Sequence, residues 1–381
     1  MRTFELRFSG DMLNEQGQPA NGYFGEDILH TAPFVRYEFL REQAPRDSGD
    51  WDRLYSMQME PQHIAEADGL VIIRPWVNAA TFAAGAERLV VIGRAGVGTD
   101  KIDMQACTRN DVAVFNAPES LTHSTASAAL VLILALAKRL PEQERLARSG
   151  CWKDQPLVIG DDLVGQTLGI VGLGRIAKEL IRLLAPFRMR ILIWSRHCDL
   201  QQAAVLGAEL VPDLDTLFRE SDYVSLHCAL NERTREMIGE RHLRLMKPRA
   251  YLINTSRGEL IDQPALLRAL SERWFAGAGL DVYQDEPLPA DDPLTKLDNV
   301  ILTPHWLPTT HQAVENVGRA MAQGILRAAR GLIPENVVNI DVMNRSGFQA
   351  KLARFAQNAA VTGGDRRVGQ NRGCAESEFV S

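Results

Sequence analysis

Apolar and polar positions change period repeatedly along the chain, and each change marks an element. Met1–Arg7 alternates apolar with charged residues and predicts a strand. A Gly-, Pro- and Asn-rich stretch from Gly10 to Gly25 reads as loop, and a helical pattern follows near Pro33–Gln43. Short apolar runs behind turn signals, at Asp68–Arg74, Leu89–Gly93 and Val112–Phe115, predict buried strands with helices between them. Ser124–Leu140 is apolar on several faces, which predicts a helix buried between domains or at a subunit contact. Gly150-Cys151-Trp152 reads as a break. Strands are then expected at Thr167–Val171, Arg190–Trp194, Tyr223–His227, Ala250–Asn254, Ala276–Leu280 and Val300–Leu302. Helices are expected between them at Ile176–Ala185, Gln201–Leu206, Gly239–Leu245 and Pro264–Glu272. This alternation predicts an α/β protein with parallel sheets and crossover helices, the second series being a complete doubly wound unit.

Composition narrows the class. A chain of 381 residues suggests two domains, three at most. Hydrophobic residues at 45% and charged residues at 24% are ordinary for a globular protein, which excludes a disordered chain or a disulfide scaffold. The net charge of -6 argues against nucleic acid as the main partner, since no cationic excess meets a phosphate backbone. The longest apolar run, within Ala126–Ala137, stops at Lys138, short of the roughly 18 residues a membrane span needs. The N-terminus lacks the apolar stretch of a signal peptide. Five cysteines, scattered and without CxxC spacing, fit a reduced, cytoplasmic protein with no metal site. The polar tail Gly363–Ser381 is expected to be mobile.

Chemistry first appears at Leu168-Gly169-Ile170-Val171-Gly172-Leu173-Gly174-Arg175-Ile176-Ala177, a strand, a turn and a helix start in the pattern GxGxxA. Gly172 allows the tight turn, Gly174 lets backbone approach a pyrophosphate, and Ala177 allows close helix–strand packing. The helix start at Arg175 and Ile176 offers N–H groups to the phosphates. At the end of the next strand, Ser195-Arg196 stands where an NAD site carries an acid, and Asp199 lies too far on. A hydroxyl and a guanidinium suit a 2′-phosphate, so NADP is favoured over NAD.

Three further segments sit at strand ends: Asn254-Thr255-Ser256-Arg257-Gly258, Asp281-Val282-Tyr283-Gln284-Asp285-Glu286-Pro287 and Thr303-Pro304-His305. Ligands of open α/β sheets bind outside the carboxyl ends of strands, so Arg257, Glu286 and His305 are placed to converge. An Arg to hold a carboxylate and polarise a carbonyl, a His to pass a proton, and a carboxylate to orient that His are what hydride transfer to a 2-keto acid needs.

With these motifs, and with Arg94-Ala95-Gly96-Val97-Gly98-Thr99-Asp100, Ser225-Leu226-His227-Cys228 and Met246-Lys247-Pro248, the chain resembles the D-isomer-specific 2-hydroxyacid dehydrogenase family over roughly residues 65–340. The resemblance implies that Arg257 binds substrate, that Glu286 pairs with His305, and that His305 is the acid/base. It gives Asp281 the nicotinamide carboxamide and Gly96-Val97-Gly98 the substrate carboxylate. Cofactor contacts are expected at Gly172, Gly174, Arg175, Ile176, Ser195, Arg196, His227, Thr255, Ser256 and Asp281, and substrate contacts at Arg74, Val97, Gly98 and Arg257. The resemblance also implies two Rossmann-like domains, the cofactor domain inserted in a split substrate domain. On that layout residues 1–121 open the substrate domain, 122–308 form the cofactor domain, and 309–362 return to the first. A return helix is expected near Thr309–Arg330, with Val337-Val338-Asn339 and Phe348–Phe355 packing back. A homodimer is implied, with the long apolar helix at its contact.

The chain departs from the family pattern at Leu121 and Ser127, at Ala229, and at Trp306-Leu307-Pro308-Thr309. These changes leave the 2-hydroxy acid open, glyoxylate, hydroxypyruvate, a phosphorylated acid and a bulky apolar one among the choices. Asp100 and Asp103 are expected to be structural in this family, not a metal pair. A strand-end Arg74 reads equally as a solvated residue or a contact for an acidic substrate group. A corepressor-like NAD(H)-sensing protein on the same fold, or a phosphite-type dehydrogenase, are the alternatives. The intact Arg257, Glu286 and His305 set favours the enzyme, and Glu286 argues against the formate dehydrogenases of this superfamily, which carry Gln there.

Overall fold

The computed structural model describes residues 1–47, 50–196 and 198–362, with the side chains of 360–362 excepted. The tail expected to be mobile, residues 363–381, lies outside the described residues. Two all-parallel sheets carry the chain. The first holds β1 (Phe4–Phe8), β2 (Val35–Phe39), β3 (Gly69–Ile72), β4 (Val91–Arg94) and β5 (Ala113–Asn116), in the order β2-β1-β3-β4-β5. The second holds β6 (Thr167–Val171), β7 (Arg190–Trp194), β8 (Glu209–Leu210), β9 (Tyr223–Leu226), β10 (Tyr251–Asn254), β11 (Gly277–Leu280) and β12 (Val300–Leu302), in the order β12-β11-β10-β9-β6-β7-β8. Strands β3, β6, β9 and β11 are buried at every position. Helices cover both faces of such sheets, which is why their sequences are unbroken apolar runs. Strand order reverses between β6 and β9, so a crevice opens at their carboxyl ends.

The helix expected near Pro33–Gln43 is instead β2. Its residues Val35-Arg36-Tyr37-Glu38-Phe39 alternate half-buried with exposed and pair with β1 from Phe4 opposite Val35 to Phe8 opposite Phe39. A β-branched residue and two aromatics at a spacing of two satisfy an edge strand, and that period outranks the helical one. The apolar helix runs Thr122–Ala137, and a left-handed Arg139 (φ 50°) then starts a second helix, Leu140–Ser149, that the pattern did not foretell. The first of these helices packs on β10, β11 and the helix Arg175–Leu184 through Leu132, Ile133 and Leu136. It therefore belongs to the core of the second sheet. The two-residue β8 was not expected either; it is too short for a periodic signal.

The chain crosses between sheets twice, at residues 117–121 and 303–310. The helix His311–Ala329 returns to the first sheet, where Met321 and Ile325 share a core with Phe4, Phe8 and Phe115. Val337 bridges Phe115, and Asn339 Oδ1 accepts the Val114 N–H at 2.8 Å. Phe348, Leu352 and Phe355 close the same core. Truncating either fully buried Phe to Ala would cost about 3–5 kcal/mol. Asn358 receives the Arg2 N–H at 3.0 Å and donates to Arg2 O at 2.8 Å, tying the N-terminal strand to the C-terminal segment. No single helix among the described residues is long and apolar enough to cross a membrane.

Candidate active site

Strand β6 ends in a turn that only glycine fits. Gly172 has φ 91°, and a Cβ there would lie 2.6 Å from Cys228 Sγ. Its N–H donates to Trp194 O at 2.8 Å, which holds the turn against the end of β7. At Gly174 a Cβ would meet nothing within 4 Å, so the backbone faces an open cradle at the start of the helix Arg175–Leu184. The free N–H groups and positive dipole end of that helix suit a phosphate. Ala177 is fully buried beneath it. Ile176 is half-buried on the core and Arg175 reaches Glu119 at 3.5 Å. Ser195 follows β7, and Arg196 is exposed beside it. Burial pushes the Cys228 thiol up to about 11 while the Arg196 charge opposes that shift. Cys228 is the residue that crowds Gly172, so the Arg196 charge is felt at the residue beside the turn.

The ends of β9, β10 and β11 form the next part of the crevice. His227 shares a hydrogen bond between Nε2 and Ser225 Oγ at 2.9 Å, and burial lowers its pKa to about 4, leaving the ring neutral. Buried Asn254 braces the following turn, donating to Arg257 O at 2.8 Å and accepting the Ser256 N–H at 3.0 Å. Ser256 Oγ donates to Leu226 O at 2.7 Å. Asp281 is fully buried; its Oδ1 accepts Thr303 Oγ1 at 2.6 Å and the N–H groups of Trp306 and Leu307 at 3.2 and 3.3 Å. Burial raises the Asp281 carboxyl above the usual range against the pull of those donors. Its Oδ2 and Thr255 Oγ1 are buried with no hydrogen-bond partner. A buried polar atom left unpaired costs about 1–3 kcal/mol, so these two oxygens on adjacent strand ends fit a ligand carrying an amide. Together with the open cradle at Gly174, they fit a dinucleotide laid across the crevice.

His305 and Glu286, 19 positions apart in sequence, come together in the fold. His305 Nδ1 lies 2.8 Å from Glu286 Oε2, and Glu286 Oε1 accepts the Tyr283 N–H at 3.1 Å. Tyr283 is itself locked by its hydroxyl donating to Leu280 O and Thr303 O. His305 adopts φ 51°, an uncommon conformation for a non-glycine residue. Burial raises the Glu286 carboxyl, but the His305 hydrogen bond and charge, the Tyr283 N–H and the Arg257 guanidinium outweigh it and hold it below the usual glutamate value. Glu286 is therefore an anion at neutral pH.

Arg257 is held from three sides. Its Nε and Nη2 donate to Asp100 Oδ1 at 2.9 and 2.8 Å, and its Nη1 donates to Ser256 O at 2.6 Å. A guanidinium has five N–H donors, so two remain for a ligand. The head group lies against the loop at Gly98, where a Cβ would fall 1.6 Å from Nη2. Val97 O accepts from Asn116 Nδ2 at 2.7 Å, while the N–H groups of Val97 and Gly98 donate to no acceptor among the described residues. Two backbone donors and two guanidinium donors without acceptors among the described residues thus lie where the loop at Gly98 meets Arg257.

Arg74 is neither solvated nor free. Its backbone N–H and Nη1 both meet buried Asp11 Oδ2, at 2.9 and 3.4 Å, and its guanidinium lies over Trp51, Tyr55 and Trp306 at 5.0, 5.3 and 5.6 Å. Sequence reasoning missed Asp11, which lies in the loop-like stretch 10–25, and read Asp100 as structural only. Nothing local announces either residue; their partners are far along the chain. Asp103 is structural, accepting the Ala106 N–H at a helix start. His123 pairs with Glu179 at 2.7 Å on an exposed helix start.

This geometry meets the comparisons with known proteins. Residues 130–306 match the model of the D-isomer specific 2-hydroxyacid dehydrogenase NAD binding domain. A glyoxylate reductase from Korarchaeum cryptofilum is 43% identical over 296 residues, covering 76% of this chain and 88% of that protein. A D-3-phosphoglycerate dehydrogenase from Methanocaldococcus jannaschii is 39% identical over 279 residues, 73% of this chain and 53% of that one. The crystal structure of D-lactate dehydrogenase from Aquifex aeolicus, complexed with NAD and lactic acid, superposes with a TM-score of 0.73 at 25% identity over 88% of this chain and 99% of that one. Fold and crevice define an oxidoreductase that acts on a CH–OH group with a nicotinamide cofactor. The chain belongs to the D-isomer-specific 2-hydroxyacid dehydrogenase family.

Proposed function

We propose that the protein reduces a small 2-keto acid to the D-2-hydroxy acid, with His305 as proton donor, Glu286 as its partner and Arg257 as carboxylate anchor. The observation that carries the assignment is the 2.8 Å contact of His305 with Glu286, at the end of the strands that also present Arg257. The substrate carboxylate lies on the N–H groups of Val97 and Gly98, and the two spare Arg257 donors hold it and polarise the C2 carbonyl. A protonated His305 gives its proton to the carbonyl oxygen, and anionic Glu286 stabilises the imidazolium and fixes the ring plane. Bound nicotinamide supplies the hydride at C2. Asp281 and Thr255 would hold its carboxamide, with neutral His227 and Ser256 beside them. Gly172, Gly174 and the N–H groups at Arg175 and Ile176 would hold the pyrophosphate.

NADP is the preferred cofactor in this reading, supported by Ser195-Arg196 in place of an acid and by the Arg196 charge acting on Cys228 beside the Gly172 turn. A homodimer is supported by a run of exposed apolar side chains, Leu140, Trp152, Leu157 and Ile159, beside the long helix, and sedimentation should report twice the chain mass. Four described cysteines are free, in keeping with the reducing cytoplasm. The test of function is a panel of 2-keto acids with NADPH and NADH, using wild type and His305→Gln. Turnover lost by about 10²–10⁴-fold in the variant, with cofactor binding retained, is expected. Cofactor binding without turnover of any keto acid by wild type would favour the binding-protein alternative.

A further inference from the structure

Next to the pair Arg257–Asp100, the chain places a cation with no carboxylate in reach. Lys101 is half-buried, and its ammonium donates to Tyr55 O at 2.9 Å. It lies over the rings of Tyr55 and Trp76, at 5.2 and 5.4 Å. Among the described residues it makes no ion pair within 4.0 Å, and two of its three N–H donors have no partner. The Tyr55 carbonyl and the two rings hold the ammonium, but no carboxylate neutralises it. Arg74 and Arg94 both repel it, and the attracting charges are Glu286 and Asp100, each already committed to His305 or Arg257.

The local charge count sharpens the point. Arg74, Arg94, Lys101 and Arg257 act on one another across this region, against Asp11, Asp100 and Glu286. Cations exceed anions by one, and counting His305 as protonated brings in the buried Asp281 that acts on it, which leaves the excess at one. In the keto-acid reading the carboxylate of a simple substrate goes to Arg257. Lys101 is then left without an anionic partner, at a mouth beside Trp51, Trp76 and Trp306, each more than 40% exposed. Low-dielectric aromatic walls strengthen the attraction of a cation for an anion that enters between them.

We infer that Lys101 is a specificity-determining residue that binds a second anionic group of the substrate, phosphate or carboxylate, so that the enzyme prefers doubly anionic 2-keto acids. The inference rests on the keto-acid reading of the site. It assigns recognition to Lys101 instead of Arg74, whose charge is already met by Asp11.

The experiment compares kcat/KM within matched pairs. Hydroxypyruvate against its 3-phosphate reads the phosphate source, and 2-oxobutyrate against oxaloacetate reads the carboxylate source. Wild type should favour the doubly anionic member of at least one pair by about tenfold or more. Lys101→Gln should reduce that ratio by about 10- to 100-fold, chiefly through KM, as expected for a lost charged hydrogen bond. Lys101→Arg, which keeps the charge, should retain most of the ratio and shows that the position tolerates change. A ratio near one in both pairs, or a ratio that Lys101→Gln leaves in place, overturns the inference while turnover of the singly anionic acids keeps the keto-acid reading standing. Failure to reduce any of the four acids would remove that underlying reading itself.

Discussion

Replacing Asp100 with Asn should disable substrate handling without touching a residue that contacts the reacting atoms. Asp100 Oδ1 receives two guanidinium donors from Arg257 at 2.9 and 2.8 Å, and the two side chains are 20% and 28% exposed. Exposed ion pairs contribute about 0.2–1 kcal/mol and charged hydrogen bonds about 1.5–3 kcal/mol. A partly exposed pair falls between, at about 1–2 kcal/mol, which is a factor of about 5–30 in an equilibrium. Asn keeps an acceptor oxygen but removes the charge, so Arg257 should spend correspondingly less time in its present pose. The expected loss in kcat/KM is about 5–30-fold for a 2-keto acid that wild type reduces, with KM and kcat both affected if Arg257 both anchors the carboxylate and polarises the carbonyl. Initial rates of nicotinamide-cofactor oxidation with that acid measure it, and cofactor affinity should stay near wild type. Full activity in Asp100→Asn beside an inactive Arg257→Ala would show that Arg257 needs no holding, and the positioning role of Asp100 would fall.

Two other outcomes are expected. Arg196→Ala should weaken NADPH by about tenfold or more while leaving NADH nearly unchanged, read from the two KM values; equal losses would refute the 2′-phosphate assignment. Glu286 sits below its ordinary value of 4.5, so it contributes stability above that value and loses it as pH falls through the depressed one. Reduction in wild type should therefore persist as pH falls through neutrality and fail only below about pH 4.5, as Glu286 is protonated, whereas Glu286→Gln, which has no carboxylate to protonate, should be slower at neutral pH and lack that acid limb. The same acid limb in the variant's kcat/KM profile would sink the Glu286–His305 pairing.

The strand ends were legible in the sequence because parallel strands buried on both faces leave apolar runs that stop where chemistry begins. Val171 before Gly172, Asn254 before Arg257, and Leu280 before Asp281 are all of this kind. The return segment was legible too, since Phe348 and Phe355 flank an amphipathic stretch. Three things were not. The edge strand Val35–Phe39 mixes charged and apolar residues over five positions, too few to tell two periods apart. The second helix at Leu140–Ser149 carries Pro141 in its first turn and a left-handed Gly150 at its end, signals that a reading by apolar runs passes over. The pairs Asp11–Arg74 and Asp100–Arg257 join residues 63 and 157 positions apart, so only the folded chain brings them together.

Trp306 belongs to both halves of the molecule. Its backbone N–H is fastened to Asp281, just after β11, while its indole lies against the guanidinium of Arg74, which follows β3. The segment that carries it, residues 303–310, is one of only two covalent links between the sheets among the described residues. Any hinge motion that widens the crevice must draw the indole off Arg74 or pull the chain beside His305. Closure of the cleft and the placing of His305 are thus coupled through this one segment.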